Sequence, residues 1–412
     1  MVGVLNTIIL IAIFVGFFAI SFYVLTFISA IKRNPAQLKD SELPFATVII
    51  PAWNEEKSVK KTLESILASD YPKFEVIFID DGSTDKTLEI ARQFEGGNIY
   101  IFTKKNGGKA SALNFGIEKA KGEIIFTMDA DTRVDPLSMK KMASYFKDKR
   151  VMSVTPAMLV DNPNTPLRRM QQIEYLLGIF LRKVFAALNA IYIAPGAFTV
   201  YRKKFFDKHG GYDEKNITED LEMALRIQSK GYVTENCPTA NIYTLGPAGI
   251  KELTKQRVRW YYGLIKNFWN YRFMMSRHFG DLGLLVLPIG WVTIIFAIFI
   301  LISTAIRSIF KSIDYLLFLK SINFDFKGLF NYTWLGIEKW LFEFLSNPIV
   351  IFLVFSVFTV FIYLKYAKIK TGKIKHMKRN LCVFFILFGP LFCYWWTIAF
   401  FKNFLKKTVM WR

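Results

Sequence analysis

Four apolar runs constrain this chain most, because each approaches the length of a membrane-spanning helix. Residues 5–31 and 282–306 exceed the roughly 20 residues that cross a bilayer as a helix, residues 381–401 just reach that length, and residues 348–364 are slightly shorter. The chain is 52% hydrophobic with a mean hydropathy of +0.27, too apolar for an ordinary soluble enzyme. The sequence therefore predicts an integral protein of the cell membrane.

Basic residues predict the orientation of these runs. The first run is expected to be retained, because no basic segment precedes it and no small-residue cleavage site follows it. Basic residues follow the first run and crowd the link between the third and fourth: Lys32, Arg33, Lys39, Lys365, Lys368, Lys370, Lys373, Lys375, Lys378 and Arg379. Since such residues favour the cytosolic side, we place the N-terminus outside and the segment after residue 31 in the cytosol.

The last run has two interpretations. A fourth crossing would place Lys402, Lys406, Lys407 and Arg412 outside, against the same rule. Residues 381–401 are therefore either a span or a re-entrant segment around Gly389-Pro390.

Net charge and composition indicate which classes of binding partner this chain favours. The net charge of +21 is compatible with nucleic-acid binding, but much of the excess lies beside the apolar runs, where it favours anionic lipid headgroups. We therefore expect membrane lipids rather than nucleic acid as partners. Cysteines and histidines show no spacing typical of disulfides or zinc sites, at Cys237, Cys382, Cys393, His209, His278 and His376. Any metal site is expected to use carboxylates.

Short apolar strands alternate with helical stretches in the segment after the first run. Strands are predicted at 46–50, 74–79, 99–102 and 123–128, and helices near 57–68, after Ser83, from Ala110 and beyond Pro136. This alternation predicts a mostly parallel sheet flanked by helices. Ligands bind such sheets at the carboxyl ends of the strands, so the residues directly after each strand are candidate site residues.

Acids, glycines and one lysine follow these four strands, in the segments PAWNEE (51–56), DDGS (80–83), NGGK (106–109) and DAD (129–131). Each alone is also explained as a turn, a cap or a solvated loop, but their joint placement favours a site. Asp129 and Asp131 can offer oxygens to one Mg²⁺ or Mn²⁺ ion. Such an ion, together with Lys109, would stabilise the negative charge of a departing diphosphate. Asp80 or Asp81 can accept a hydrogen bond from a nucleotide base.

A further acidic segment, Thr218-Glu219-Asp220, precedes a predicted helix that ends at Gly231. Thr218 is expected to cap this helix. The helix dipole stabilises an acid in the first turn, which alone explains Asp220 structurally. The same dipole keeps Asp220 ionised at neutral pH, as a general base that deprotonates an acceptor hydroxyl must be.

The segment QRVRW (256–260) lies shortly before the second apolar run. Arginine binds phosphate oxygens through two N–H groups, and a tryptophan ring offers a flat apolar face to a sugar. The segment is also explained as a juxtamembrane belt of basic and aromatic residues. The upstream acids favour the first hypothesis. Residues 167–188 and 261–275 are both predicted to lie in the membrane interface.

Taken together, PAWNEE, DDGS, NGGKASALNFG, DAD, TED and QRVRW resemble, in content and order, the motifs of membrane-integrated family 2 glycosyltransferases, such as cellulose, chitin, hyaluronan and poly-N-acetylglucosamine synthases. The resemblance runs from about Ala46 to Trp260. It implies an α/β GT-A fold and inverting transfer of a sugar from a nucleotide-diphosphate sugar. Two departures are Trp53, where the family usually has tyrosine, and APGAFTVYR (194–202), which matches the acceptor loop only loosely.

The resemblance also implies a role for each matched position. The nucleotide sugar would be bound by Ala52, Trp53, Glu55, Asp80, Asp81, Lys109 and Asp129. Asp129 and Asp131 would bind the metal, and Asp220 would be the base, with Glu219 beside it near the acceptor. The diphosphate would be contacted by Gln256, Arg257 and Arg259, and Trp260 would stack on the acceptor sugar.

In this family the QRxRW motif accompanies processive synthesis. The sequence thus predicts a polymerase that elongates and exports a β-linked polysaccharide, with UDP favoured over GDP as the carrier. One alternative is the transfer of a single sugar to a lipid carrier or glycolipid. Another is a transporter or receptor that only binds a nucleotide. The scarcity of charges within the apolar runs argues against a transport pathway for ions.

The predicted domains follow from these assignments. Residues 1–40 form an N-terminal transmembrane helix, residues 41–250 a cytosolic GT-A domain, residues 251–281 the QRxRW motif with an interfacial helix, and residues 282–412 a C-terminal transmembrane region. An accessory membrane subunit is a further candidate partner.

Overall fold

A computed structural model describes residues 2–31, 35, 37–324, 334–372 and 376–405 of the chain. The chain divides into two units, residues 1–25 with 287–362, and residues 26–286 with 363–412. Several basic residues on which the predicted orientation depends lie outside the described residues: Lys32, Arg33, Lys373, Lys375, Lys406, Lys407 and Arg412.

The second unit contains one eight-stranded sheet. Its strands are β1 (Ala46–Ala52), β2 (Phe74–Asp80), β3 (Ile99–Thr103), β4 (Ile124–Met128), β5 (Thr132–Val134), β6 (Val151–Val160), β7 (Phe198–Arg202) and β8 (Val233–Thr244). Their order across the sheet is β3-β2-β1-β4-β7-β6-β8-β5. Strands β3, β2, β1 and β4 pair in parallel, whereas β7 is antiparallel to both β4 and β6, and β5 is antiparallel to β8.

The four predicted strands are confirmed as β1 to β4. The sheet is parallel over these strands and mixed beyond β4. The sequence analysis does not predict β5 to β8, because β6 and β8 contain prolines and polar residues and pair with two register shifts. Such strands lack the short apolar pattern by which a strand is recognised.

Helices cover both faces of the sheet. They are α2 (Val59–Leu67), α3 (Thr87–Arg92), α4 (Lys109–Lys119), α5 (Ser138–Ala143), α7 (Lys203–His209) and α8 (Glu219–Ser229). Successive side chains of β1 point to opposite faces. Val48 and Ile50 therefore pack in one core with residues of α2 and α5, and Ile49 packs in the other with residues of α4 and α8. The prediction of an α/β sheet flanked by helices is confirmed.

Two longer helices, α6 (Pro166–Ala187) and α9 (Ile250–Asn270), contain the basic and aromatic segments that we predicted to be interfacial. α6 packs on β6 and β8, and both helices pack against α13 (Met377–Phe404). Trp395 of α13 donates to Thr254 Oγ1 of α9 at 3.0 Å, and Trp396 stacks on Tyr261 with ring centroids 4.5 Å apart.

Four helices are long and apolar enough to cross a membrane, counting only described residues. They are Asn6–Ala30 within α1 (Val2–Ala30), Leu282–Ser321 including α10 (Leu287–Ser321), α12 (Pro348–Thr371) and α13. A shorter helix, α11 (Trp334–Leu345), precedes α12. α13 continues as one helix through Pro390, without a turn at Gly389-Pro390, which favours a single helix over a re-entrant segment for the last run. A proline removes one backbone hydrogen bond, and the packing of α13 outweighs that loss.

Gly116 of α4 provides a test of this packing. A Cβ atom at Gly116 would lie 2.5 Å from Ile49 Cγ2 and 3.0 Å from Ile79 Cδ1. We expect Gly116→Ala to lower the free energy of unfolding by up to about 2 kcal/mol, because an overpacking cost of about 1–3 kcal/mol is offset by roughly 1 kcal/mol gained in helix propensity. Thermal unfolding of the purified protein measures this effect.

The matched control is Gly178→Ala in α6. The nearest atom to its Cβ would be Nη1 of the flexible Arg182 side chain, at 3.3 Å. We expect this variant to be as stable as the unmodified protein or slightly more stable. Equal stability of the two alanine variants would contradict the described packing of α4 on the sheet.

Candidate active site

The carboxyl ends of β1, β2 and β4 meet at one edge of the sheet, and the predicted site residues follow them directly. Ala52, the last residue of β1, lies opposite Asp80 of β2, and its carbonyl oxygen accepts a hydrogen bond from Asp81 N at 2.8 Å. Asp129, just after β4, donates its N–H to Ala197 O at 3.0 Å. Parallel pairing thus brings segments that are distant in sequence to a common edge.

Asp81 anchors the glycine loop that precedes α4. Its buried carboxylate accepts hydrogen bonds from Lys104 Nζ at 2.9 Å, Gly107 N at 3.0 Å and Gly108 N at 2.8 Å. Gly108 has a φ of +89°, which favours glycine, and it immediately precedes the first residue of α4, Lys109. Asp81 therefore determines where Lys109 enters the site.

The loop after β1 packs against the loop after β2. Asp80 accepts hydrogen bonds from Thr103 Oγ1 at 3.1 Å and Ser83 N at 3.2 Å. Because a carboxylate has about four acceptor positions, these bonds leave Asp80 able to bind a ligand N–H as well. Glu55 accepts a hydrogen bond from Ser58 Oγ at 2.6 Å, and burial raises its pKa, with Asp129 raising it further. Trp53 is partly buried in this loop.

Lys109 lies among acids from two separate segments, the end of β4 and the start of α8. Its Nζ contacts the Asp129 carboxylate, lies 3.6 Å from Glu219 Oε1, and donates to Gly196 O at 3.4 Å. Gly196 is in turn close to the base candidate, since a Cβ there would lie 2.7 Å from Asp220 Oδ2. Burial alone lowers the pKa of Lys109, but Asp129, Glu219 and Asp220 raise it above its ordinary value, so the ammonium stays charged.

Burial and crowded negative charge raise the pKa values of two of the carboxylates, Asp131 and Glu219. Burial raises the pKa of Asp131, and the neighbouring Asp129 and Glu55 raise it further. Burial also raises the pKa of Glu219, which Lys109 lowers in part and Asp220 raises again. An additional cation would stabilise the ionised form of both groups.

The donor atoms fit a hard divalent cation that takes the rest of its ligands from a substrate. Within the described residues, no group of three His, Cys, Asp or Glu side chains is arranged to hold a metal ion. Mg²⁺ and Mn²⁺ favour oxygen ligands, and Mg²⁺ is commonly bound by one or two carboxylates together with substrate phosphates and water. Asp129 and Asp131 would supply those carboxylates.

The acids of α8 are positioned by α9. Thr218 precedes α8, but its side chain makes no capping hydrogen bond, and its hydroxyl oxygen instead accepts one from Asn267 Nδ2 of α9 at 2.9 Å. Asn216 Nδ2 donates to Asn267 Oδ1 at 2.7 Å. A Cβ at Gly263 would lie 2.3 Å from Thr218 Oγ1, so a glycine is required for this approach of α9. Thr218 is thus the N-cap residue of α8, as predicted, but without a capping hydrogen bond from its side chain.

The two arginines of QRVRW point in different directions. Arg259 lies beside the acids, with its Nη1 donating to Ile217 O at 3.3 Å and its charge acting on Glu219. Arg257 has no exposed surface and forms an ion pair with Glu174 of α6 at 2.7 Å. Residues two apart on a helix are separated by about 200° around its axis, which explains why the arginines do not share one partner. The structure does not bring Arg257 to the acids at the sheet edge.

The other two residues of the motif lie near Arg257. The guanidinium carbon of Arg257 lies 4.2 Å from the centre of the Trp260 ring, which is partly exposed. Gln256 has a buried Oε1 with no hydrogen-bond partner among the described residues.

Three features of this site were not predicted from the sequence. Glu174 is the only carboxylate in α6, between Arg168 and Arg182, and that isolation was the one available signal. The closeness of Gly196 to Asp220 and the contact between Gly263 and Thr218 give no local pattern, because each depends on the approach of separate elements.

Comparison with known proteins identifies the domain. Residues 47–210 match the family model described as glycosyl transferase family 2. The chain is 33% identical over 250 residues to poly-beta-1,6-N-acetyl-D-glucosamine synthase of Staphylococcus aureus (strain COL). The matched segment covers 58% of this chain and 60% of that protein. It is 35% identical over 231 residues to the synthase of the same name from Staphylococcus epidermidis, with coverage of 54% and 56%. The matched part thus spans less than two thirds of these relatives.

A solved structure shares the fold over nearly the whole chain. The mannosyltransferase PcManGT from Pyrobaculum calidifontis, in complex with GDP-Man and Mn²⁺, superposes with a TM-score of 0.58 at 19% identity, covering 98% of this chain and 100% of that chain. This likeness supports the GT-A fold expected from the motifs. Residues 47–210 therefore form a glycosyl transferase family 2 domain, the family that the motifs of this segment resemble.

Proposed function

We propose that this protein catalyses inverting, metal-dependent transfer of N-acetylglucosamine from a UDP-sugar to a growing β-linked polysaccharide at the cytosolic face of the membrane. The observation that carries the proposal is the convergence of Asp129, Glu219 and Asp220 on Lys109. Asp129 lies in the segment that binds the donor phosphates in this family, and Glu219 and Asp220 lie in the segment near the acceptor. Their closeness provides one place where both substrates can react.

The donor side uses the sheet edge. Asp129 and Asp131 would hold Mg²⁺ or Mn²⁺, which when bound neutralises the diphosphate and makes it a better leaving group. Lys109 and Arg259 are the nearby cations that would contact the phosphate oxygens. Ala52, Trp53, Glu55, Asp80 and Asp81 would surround the nucleoside. Gln256 would lie near the diphosphate, whereas the ion pair with Glu174 argues against that role for Arg257.

The acceptor side uses α8. Asp220 would take the proton from an acceptor hydroxyl as that oxygen forms a bond to the anomeric carbon of the donor sugar. The bond between this carbon and the phosphate oxygen breaks in the same step, and the nucleoside diphosphate leaves with the electron pair. A single displacement inverts the configuration at the anomeric carbon, so an α-linked donor yields a β-linked product. Glu219 would lie beside the acceptor.

The choice of sugar and product is supported by the sequence relatives, which are named as synthases of poly-beta-1,6-N-acetyl-D-glucosamine. The four apolar helices support a membrane location. The basic residues that follow the first span favour a catalytic domain on the cytosolic side. Trp260 would hold the polymer end as it passes towards the spans, with or without an accessory membrane subunit. GDP-mannose is the alternative donor.

The base assignment predicts the effect of Asp220→Asn. We expect kcat to fall by roughly a hundredfold or more, because general-base catalysis contributes about 10²–10⁴-fold. Binding of UDP to the variant, measured by calorimetry, should match the unmodified protein. Glu118→Gln, which alters an exposed carboxylate of α4, is the control and should retain full activity. Asp220→Asn with normal kcat would refute the assignment, and a transporter or receptor would show no turnover in any variant.

Removal of the metal tests the role of Asp131. We expect chelation to abolish UDP release from UDP-N-acetylglucosamine and added Mn²⁺ to restore it. In Asp131→Asn, the Mn²⁺ concentration for half-maximal activity should rise at least about tenfold, since even outer-shell changes weaken metal binding by about 10–100-fold. Activity that survives chelation, or an unchanged Mn²⁺ requirement in the variant, would remove the metal from the proposal.

Product length separates the two kinds of transfer. Incubation of the purified protein with UDP-N-acetylglucosamine, followed by gel analysis of radiolabelled product, should give a ladder of increasing chain length. A single labelled glycolipid would instead favour transfer of one sugar to a lipid carrier. Release of GDP from GDP-mannose in a parallel assay would identify GDP-mannose, rather than UDP-N-acetylglucosamine, as the donor.

A further inference from the structure

The ion pair between Glu174 and Arg257 joins α6 to α9 directly behind Trp260. Arg257 Nη2 and Glu174 Oε2 are 2.7 Å apart, and the side chains are 0% and 21% exposed, respectively. The Tyr175 and Trp395 rings lie about the same guanidinium, with centroids 5.9 and 6.0 Å from its carbon. The pair is therefore enclosed by α6, α9 and α13.

A largely buried ion pair of this kind is weak evidence for a role in stability. An apolar pair of similar volume often replaces a buried ion pair without loss of stability, whereas removal of one partner is strongly destabilising. Arg257 Nε and Nη1 make no hydrogen bond of ordinary geometry among the described residues, although the Tyr175 hydroxyl lies near the guanidinium group. Unpaired buried donors are costly and are retained most readily where function requires the residue.

The guanidinium of Arg257 covers one face of Trp260. Their separation of 4.2 Å is a close cation–π contact, and the planar guanidinium group can lie flat on the indole ring. Because Glu174 holds the guanidinium from α6, the ring is held from behind. The opposite face of the indole is then the one available to a sugar ring.

We propose that Glu174 is a positioning residue that fixes Trp260, through Arg257, as the stacking platform for the acceptor sugar. This inference rests on the proposed function and deepens it. Glu174 touches neither substrate, so its loss should affect binding of the acceptor and leave binding of the donor unchanged. The effect should disappear when Trp260 itself is removed.

The decisive variant is Glu174→Leu/Arg257→Met, which removes both charges together and leaves no unpaired ion. We expect thermal unfolding close to that of the unmodified protein and an unchanged KM for UDP-N-acetylglucosamine. The KM for a soluble N-acetylglucosamine oligosaccharide should rise about tenfold or more, within the range caused by misplacement of an orienting group. Wild-type acceptor KM in this stable double variant would overturn the inference.

Two further variants guard against loss of folding. Arg257→Lys keeps the charge and loses the planar face, and it should raise the acceptor KM without a change in unfolding temperature. Adding Glu174→Leu/Arg257→Met to Trp260→Ala should cause no further rise in the acceptor KM, whereas additive effects would overturn the inference. Glu75→Gln is the matched control, because Glu75 is a buried carboxylate that accepts from Thr47 Oγ1 and Lys121 N, remote from Trp260 in the sheet.

Failure of the proposed function and failure of this inference alone give different experimental results. A wild-type protein that transfers no N-acetylglucosamine to the oligosaccharide overturns the proposed function and this inference with it. Failure of the inference alone leaves the wild-type protein active and the double variant equal to it.

Discussion

The structure of the site depends on one buried ammonium group. Lys109 lies among Asp129, Glu219 and Asp220, which come from the end of β4 and the start of α8. Several carboxylates confined to one buried place repel each other, and a cation between them offsets that repulsion. Asp81 fixes the loop from which Lys109 extends. The Lys109 side chain therefore connects this loop at the sheet edge to Glu219 of α8.

The second constraint is the close contact of α8 and α9. Gly263 permits Thr218 to approach, and Asn216 and Asn267 connect the two segments by hydrogen bonds. This junction places Arg259 beside Glu219, while Arg257 points to Glu174 on α6. In the proposed reaction, α9 would therefore contact both substrates, the donor through Arg259 and the acceptor through the Trp260 ring, which packs against Arg257.

The sequence predicts those parts of the structure that have a local pattern. β1 to β4, the apolar helices and the acids at the strand ends each follow from spacing and composition. β5 to β8 do not, because prolines, polar residues and register shifts disturb their pattern. The roles of Glu174, Gly196 and Gly263 depend on contacts between elements far apart in sequence. The different directions of Arg257 and Arg259 could have been predicted from the sequence, because residues two apart on a helix lie about 200° apart around its axis.

The most direct measurement is a structure of the full chain carrying Asp220→Asn, determined by electron cryomicroscopy with UDP-N-acetylglucosamine and Mn²⁺. The account predicts a diphosphate in contact with Lys109 and Arg259, a metal ion on Asp129 and Asp131, and the anomeric carbon of the sugar facing residue 220. A nucleotide bound elsewhere, with the contact between Lys109 and Asp129 unchanged and no ligand beside it, would contradict the account.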